Sequence, residues 1–152
     1  MLECDKIQIS ECNYWECEEA IDFLIKLTSE EFGFSDWENY FKYKLVEKYK
    51  TGKNKFWIAR DLKGKIIGTC GGLQESETVI KMNCFYIKNE YRNLGLGQKF
   101  YDLFMEFVRK ENYKTIKLCT YKEFDKAIKL YEKRGFILYE KIDNELWYTK
   151  EM

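Results

Sequence analysis

The spacing of apolar and polar positions predicts one strand and two helices in the N-terminal part of the chain. Apolar and polar residues alternate over residues 6–10, which is the period of a strand. Over residues 15–27 apolar side chains recur at the spacing of one helix face, and residues 28–33 break that pattern. A second helix is predicted over residues 36–50, with Ser35 as its N-terminal cap.

The middle of the chain predicts three strands and then an amphipathic helix. Residues 56–59 and 65–73 have strand composition and are joined by a turn at residues 61–64. Residues 78–87 form a further long strand that leads directly into a loop containing two glycines. The helix predicted after that loop, over residues 98–109, has an apolar face made of Phe100, Leu103, Phe104, Phe107 and Val108.

The C-terminal part predicts a strand, a helix and a closing hairpin. A strand at residues 115–120 is reached through the preceding helix, which implies a parallel pairing with a right-handed crossover. A helix follows, and residues 136–141 and 146–149 then form an antiparallel hairpin around residues 143–144. The predicted order is β-α-α-β-β-β-α-β-α-β-β. Because proline, repeats and linker-like tracts are absent, we expect one domain over residues 1–152.

Composition excludes several functional classes. Six scattered cysteines and no histidine indicate reduced thiols rather than a disulfide framework or a mixed zinc site, so no metal is expected. The missing histidine also excludes Ser-His and Cys-His nucleophilic catalysis. No apolar run is long enough for a membrane span, and the acidic N-terminus does not have the pattern of a signal peptide. We therefore expect a soluble, cytoplasmic protein that binds neither membranes nor nucleic acid, since its lysines are scattered and no nucleic-acid motif occurs.

Charge is unevenly distributed although the net charge is zero. Residues 1–40 carry a net charge of minus nine and the remainder of the chain plus nine. A basic body suits a cofactor with several phosphates, and an acidic N-terminal part suits a cationic acceptor. The acidic residues can equally be solvated helix faces.

The run Arg92-Asn93-Leu94-Gly95-Leu96-Gly97 lies between a strand and a helix. Such a loop can wrap around phosphate oxygens, and the following helix offers unpaired N–H groups and its positive dipole end to an anion. Taken alone, it can also be an ordinary turn without a ligand. Phe100 stands where the Rossmann fingerprint needs a small residue, and no Walker-type Gly-Lys-Ser/Thr occurs, so those nucleotide sites are disfavoured.

A second motif follows: Ala127-Ile128-Lys129-Leu130-Tyr131-Glu132-Lys133-Arg134-Gly135-Phe136. With the glycine loop before it, the chain resembles the GNAT superfamily of N-acetyltransferases, whose acetyl-CoA loop follows Arg/Gln-x-x-Gly-x-Gly/Ala and whose later helix carries Ala-x-x-x-Tyr-x-x-x-Gly-Phe. The resemblance implies an α/β (α+β) fold with a mixed sheet of six or seven strands flanked by about four helices. It also implies an acyltransferase (EC 2.3.1 class) that moves an acetyl group from acetyl-CoA to a primary amine.

The resemblance further implies which residues form the site. The amides of residues 93–98 would meet the pyrophosphate of acetyl-CoA, and Arg92 would supply charge or brace the loop. The strand before the loop would hold the pantetheine arm, and the Tyr131 hydroxyl would lie near the sulfur and donate a proton to the thiolate. The implied coenzyme-binding set is Phe85, Tyr86, Ile87, Arg92, Asn93, Leu94, Gly95, Leu96, Gly97, Gln98, Thr120 and Tyr131.

Some features stay open at the level of sequence. Phe124 replaces the Asn that many relatives use to bind pantetheine, so Thr120, Asp125 or a backbone group takes that contact or it is absent. Candidates for a general base are Glu31, Asp36, Glu75 and Glu77, and a thiol nucleophile at Cys84 or Cys119 is disfavoured.

The acceptor is expected to be a small cationic metabolite or drug. Transfer to protein N-termini or lysines is an alternative. A non-catalytic acyl-CoA-binding sensor or scaffold is another, although the presence of Tyr131 argues against it. Members of the family often pair through sheet edges or C-terminal strands, so the resemblance also suggests a homodimer.

Overall fold

A computed structural model describes residues 6–33 and 36–152. Its centre is a seven-stranded sheet with the strand order β1-β2-β3-β4-β5-β7-β6. The strands are β1 Gln8–Glu11, β2 Lys55–Arg60, β3 Ile66–Gln74, β4 Val79–Ile87, β5 Thr115–Tyr121, β6 Ile137–Ile142 and β7 Glu145–Glu151. The α-helices are α1 Glu18–Phe32, α2 Leu45–Tyr49, α3 Leu96–Lys110 and α4 Asp125–Lys133.

The sheet is mixed, as the family resemblance implies. All neighbouring strands pair antiparallel except β4 and β5, which are parallel and are connected through α3. The prediction of a parallel pairing at this step is therefore confirmed, and so is the predicted fold class of six or seven strands with about four helices.

The predicted boundaries of the first helix are wrong. A separate 3-10 turn occupies Tyr14–Glu16, and α1 begins only at Glu18 and continues to Phe32. The predicted break at Thr28 does not occur, because the Thr28 hydroxyl is buried and donates a hydrogen bond to the Leu24 carbonyl at 2.7 Å, within its own helix. Gly33, in the left-handed conformation with φ of 72°, ends the helix.

The second predicted helix is irregular. Instead of one α-helix over residues 36–50, the chain forms a π-helical turn at Tyr40–Lys44 that continues into α2. The π-helical turn covers only five residues, which is too short a stretch for its wider i→i+5 spacing to appear in the apolar pattern. The predicted cap at Ser35 lies outside the described residues.

Each face of the sheet has its own core. One core holds α3 residues, with Phe100, Phe104 and Val108 fully buried, and α4 packs at its edge through Ile128 and Tyr131. The other core is formed by α1, the π-helical turn and α2 against β2 and β3. α3 approaches the sheet closely because Gly68 in β3 leaves room for it: a Cβ there would lie 3.1 Å from the Phe100 ring.

Candidate active site

Strands β4 and β5 separate part of the way along their length. They pair only at Val79–Thr115, Ile80–Ile116 and Lys81–Lys117, although β4 continues to Ile87 and β5 to Tyr121. A bulge accompanies the separation: the β3–β4 register shifts opposite Cys84, which has a φ of 52°. The gap between residues 82–87 of β4 and 118–121 of β5, called the wedge below, thus has strand edges that do not pair with each other.

The glycine loop, residues 92–97, lies at the end of β4. Asn93 and Gly95 have φ of 63° and 86°, a conformation that Gly adopts at no steric cost and Asn more readily than most residues. Gly95 is the residue before α3, and no side chain among the described residues caps that end of the helix. The first N–H groups of α3 are therefore available, with the positive dipole end, to an anion such as a diphosphate.

Arg92 braces this loop. Its Nε donates to the Ile87 carbonyl at 2.8 Å and its Nη2 to Glu31 Oε2 at 2.6 Å. The other Glu31 oxygen accepts the backbone N–H of Asn89 at 3.2 Å. Of the two roles predicted for Arg92, these contacts favour bracing. They also engage Glu31 in an ion pair, which leaves it poorly suited to be a general base.

The remaining loop residues contribute backbone more than side chains. A Cβ on Gly97 would contact the side chains of Ile87 at 3.5 Å and Phe85 at 4.0 Å, so the start of α3 lies against the end of β4. Leu96 points into the core and is 1% exposed. The Gln98 side chain is held by hydrogen bonds with Asp102 at 2.8 Å and with Arg134 at 3.1 Å.

Tyr131 lies on α4, at the edge of the core beneath the wedge. Its ring packs edge-on against Phe136 with centroids 5.8 Å apart, and the hydroxyl has no hydrogen-bond partner in the described part of the chain. Burial raises the pKa of Tyr131 well above its usual value, so the phenol is protonated at neutral pH. The pKa of Tyr86 is also raised, first by burial and then by neighbours that include Tyr121 and Tyr131, which places the three hydroxyls in one region.

Thr120 and Phe124 lie on the β5 side of the wedge. Thr120 belongs to the separated half of β5 and is buried. Phe124 contacts Phe32 and Tyr121 at centroid distances of 5.0 and 5.8 Å. This position therefore joins α1 to β5 through aromatic packing, and its side chain offers no hydrogen bond.

A cavity of about 380 Å³, called the sheet cavity below, lies between the wedge and the segment that leads into α2. It reaches the wedge at Tyr86 and Tyr121. Two buried nitrogens of its lining residues, Asn83 Nδ2 and Trp147 Nε1, have no hydrogen-bond partner among the described residues. The Asn83 oxygen accepts the Tyr49 hydroxyl, which fixes the orientation of the amide.

Charged residues of both signs line the sheet cavity: Asp36, Glu145, Lys48 and Lys81. Of the base candidates from sequence, only Asp36 lines it; Glu75 and Glu77 lie in the exposed turn between β3 and β4. The sequence interpretation missed Glu145. No local signal could have found it, because only the pairing of β5 with β7 brings Glu145 onto the same sheet face as Cys119, where the thiol donates to the carboxylate at 3.6 Å.

The thiols at the sheet cavity are poor nucleophiles. Burial raises the pKa of Cys84 to about 12 although Lys81 lowers it in part. Burial and the neighbouring Glu145 carboxylate raise the pKa of Cys119 to about 12 as well. Both thiols are therefore protonated at neutral pH. Across residues 6–33 and 36–152, no group of side chains is arranged to hold a metal ion, and no helix is long and apolar enough to cross a membrane.

Comparisons with known proteins find matches to both the sequence and the fold. The model of the acetyltransferase (GNAT) family matches residues 18–136. An acetyltransferase from Streptococcus agalactiae is 23% identical and has a TM-score of 0.78, with 97% of this chain and 99% of that chain covered. A GNAT-family acetyltransferase from Staphylococcus aureus is 24% identical with a TM-score of 0.79, with 95% and 98% covered.

A third solved structure contains a ligand. It is the PaiA N-acetyltransferase from Thermoplasma acidophilum in complex with coenzyme A, which is 16% identical with a TM-score of 0.77, with 96% of this chain and 99% of that chain covered. No curated protein matches the sequence.

Proposed function

Because the chain belongs to the GNAT family of acetyltransferases, we propose that it transfers the acetyl group of acetyl-CoA directly to the primary amine of a small molecule. Acetyl transfer from acetyl-CoA is the activity of the family. What we propose for this chain is that the acceptor is a primary amine, that it belongs to a small molecule and that it is positively charged before it reacts. The observation that carries the proposal is that the β4–β5 pairing ends at Lys81–Lys117, which leaves the wedge open between the two strands beside the glycine loop.

The coenzyme is proposed to bind along the α3 side of the wedge. The diphosphate would lie on the amides of residues 93–98, which no side chain caps. The pantetheine arm would extend between the separated strands, where the backbone of Phe85–Ile87 does not pair with β5. Acetyl-CoA supplies the activated acyl group as a thioester when it binds.

Tyr131 is the proposed proton donor. As the C–N bond forms and the C–S bond breaks, the leaving sulfur needs a proton, and the Tyr131 phenol has one at neutral pH. The amine nitrogen loses a proton in the same reaction, so returning it to the tyrosinate restores the starting state. Direct transfer is favoured over an acetyl-thiol intermediate because the raised pKa values of Cys84 and Cys119 disfavour thiolates.

The acceptor amine is proposed to enter through the sheet cavity. Asp36 and Glu145 there offer negative charge to an ammonium group before it loses its proton. The acidic excess of the N-terminal part supports a cationic acceptor only weakly. Several of those acids are in ion pairs instead: Glu11 with Lys55, Glu19 with Arg60, Glu31 with Arg92 and Glu38 with Lys42.

The test combines binding with turnover. Acetyl-CoA at one hundred times its Kd should stabilise the protein by about 2.7 kcal/mol, whereas NAD and ATP at the same concentration should not. Release of free thiol from acetyl-CoA is then measured against a panel of small amines and peptide N-termini. Coenzyme binding without thiol release for any amine would identify a non-catalytic acyl-CoA sensor, and preference for peptides would identify a protein acetyltransferase.

A further inference from the structure

The wall of the sheet cavity contains hydrogen-bond donors that an ammonium group cannot pair with. Asn83 Nδ2 and Trp147 Nε1 are buried in its wall, and neither has an acceptor within residues 6–33 or 36–152. Buried N–H groups in proteins are almost always paired, because an unpaired donor loses its hydration without compensation. Two such donors in the wall of one cavity therefore point to a ligand that supplies acceptor atoms.

Lys81 adds positive charge beside these donors. Its Nζ lies 4.9 Å from the centre of the Trp147 ring. Lys81 and Asn83 are two residues apart on β4, so their side chains leave the same face of the sheet. Lys81 makes no ion pair with any described residue, which leaves its ammonium group able to bind an anion.

A carboxylate matches this set of groups. It is negatively charged and only accepts hydrogen bonds, so one carboxylate can pair with an ammonium group and two N–H donors. An aliphatic polyamine has donors only; it would leave Asn83 and Trp147 unpaired and would place like charge beside Lys81. The same cavity also contains Glu145 and Asp36, which suit the ammonium group of the acceptor.

We infer that the acceptor is an amino acid or a similar compound with a carboxylate near its primary amine, an inference that rests on the proposed function. The carboxylate binds to Lys81, Asn83 and Trp147, and the amine points toward the wedge. The cavity volume of about 380 Å³ lies within the usual range of small-molecule sites, about 300–1,000 Å³. The acceptor is therefore zwitterionic rather than purely cationic.

Matched acceptor pairs test the inference by turnover. Thiol release is measured with each L-amino acid, with its carboxamide and with spermidine. The acids that react should exceed their carboxamides in kcat/KM by roughly ten- to hundredfold, the value of a hydrogen-bonded charge pair. Lys81→Met should remove this preference by lowering kcat/KM for the acids only. Trp147→Phe keeps the ring and removes the donor, and it should lower kcat/KM for the acids about fivefold.

Lys117→Met is the matched control. Lys117 pairs with Lys81 across β4 and β5 and also packs over an aromatic ring, that of Tyr139 at 5.7 Å, but it does not line the sheet cavity. Its loss should leave the acid-to-carboxamide ratio unchanged. An equal effect of Lys81→Met and Lys117→Met would show a general loss of surface charge and would overturn the assignment.

Binding measurements separate this inference from the proposed function. The rise in melting temperature of the coenzyme A-saturated protein is measured with each acid and carboxamide. A Lys81-dependent preference for acids without thiol release would support the carboxylate site and contradict acetyl transfer. Transfer to carboxamides or spermidine at least as fast as to the acids would overturn the inference and leave the proposed function intact. No preference and no transfer would overturn both.

Discussion

The two sides of the wedge are built in different ways. On the proposed coenzyme side, the glycine loop and the start of α3 are contiguous in the chain, and the groups proposed to bind are backbone amides. On the proposed acceptor side, the sheet cavity combines side chains from β4, β5, β7, α2 and the segment before α2. A coenzyme shared by a whole family can be bound by backbone that tolerates sequence change, whereas an acceptor specific to one enzyme needs particular side chains.

This difference gives each side its own mutational signature. Changes on the coenzyme side should alter acetyl-CoA binding or the chemical step equally for every acceptor. Changes on the acceptor side should leave acetyl-CoA binding unaltered and act on the KM of the amine.

The largest effect is expected at Tyr131, where the two sides meet. Tyr131→Phe removes the proposed proton donor and should lower kcat by about a hundredfold or more for every acceptor, with acetyl-CoA affinity changed less than about threefold. Steady-state kinetics and calorimetric titration measure the two quantities. Tyr139→Phe, at an exposed tyrosine of β6, is the control. A parallel loss of affinity and kcat would instead assign Tyr131 to packing.

On the acceptor side, we expect a substitution of Gly71 to have the next largest effect. The missing side chain of Gly71 makes room for the Tyr49–Asn83 hydrogen bond. A Cβ at this position would overlap the Tyr49 hydroxyl and the Asn83 oxygen. Gly71→Ala should lower the free energy of unfolding in urea by about 1–3 kcal/mol and raise the KM of the amine, with the Kd of acetyl-CoA unchanged. Adding Tyr49→Phe should restore part of the stability. Wild-type stability of Gly71→Ala would show that the pair moves without cost.

On the coenzyme side, Gly95→Ala should weaken acetyl-CoA binding about tenfold. The positive φ of 86° costs a residue with a Cβ about 1–2 kcal/mol, which would displace the loop. Gly64→Ala is a matched control, since Gly64 has a φ of 82° and, like Gly95, open space around its missing Cβ, but lies in the β2–β3 turn. Both variants should lose similar stability, and only Gly95→Ala should lose affinity. Loss of affinity in both would contradict a local role of the loop.

The smallest effect is expected for the brace between the glycine loop and α1. Arg92→Gln breaks an ion pair whose side chains are 39% and 23% exposed, so we expect a loss of about 1 kcal/mol or less and a fewfold weaker acetyl-CoA binding. Arg60→Gln is the control and breaks the ion pair with Glu19, whose side chains are 32% and 54% exposed. Calorimetric titration should find weaker acetyl-CoA binding only in the Arg92 variant. Equal affinity in both variants would show that the loop holds its shape without the brace.

The same difference explains what could be predicted from the sequence. The succession of helices and strands along the chain, the parallel step and the position of the glycine loop depend on local patterns, and the sequence analysis predicted them, whereas the mixed sheet was implied only by the family resemblance. The sequence analysis did not predict Glu145 and Trp147 as site residues. The pairing of β5 with β7 brings them beside Cys119, and no local pattern records that pairing. Simple alternation along β4 did not give the full set of cavity side chains, because the bulge at Cys84 brings Cys84 and Tyr86 to the same cavity as Lys81 and Asn83. The π-helical turn before α2 was not predicted, because five residues are too few for its wider spacing to appear in the apolar pattern.

The central claim is that backbone amides of the glycine loop bind the diphosphate of acetyl-CoA. Titration of ¹⁵N-labelled protein with acetyl-CoA, followed through the backbone amide resonances, measures this residue by residue. We predict that the amides of Gly95 and Gly97 are among those that shift most at saturation, and that the amide of Gly52, which lies beside Gln74 at the far end of β3, does not move. Saturated binding with unshifted Gly95 and Gly97 resonances would contradict the account.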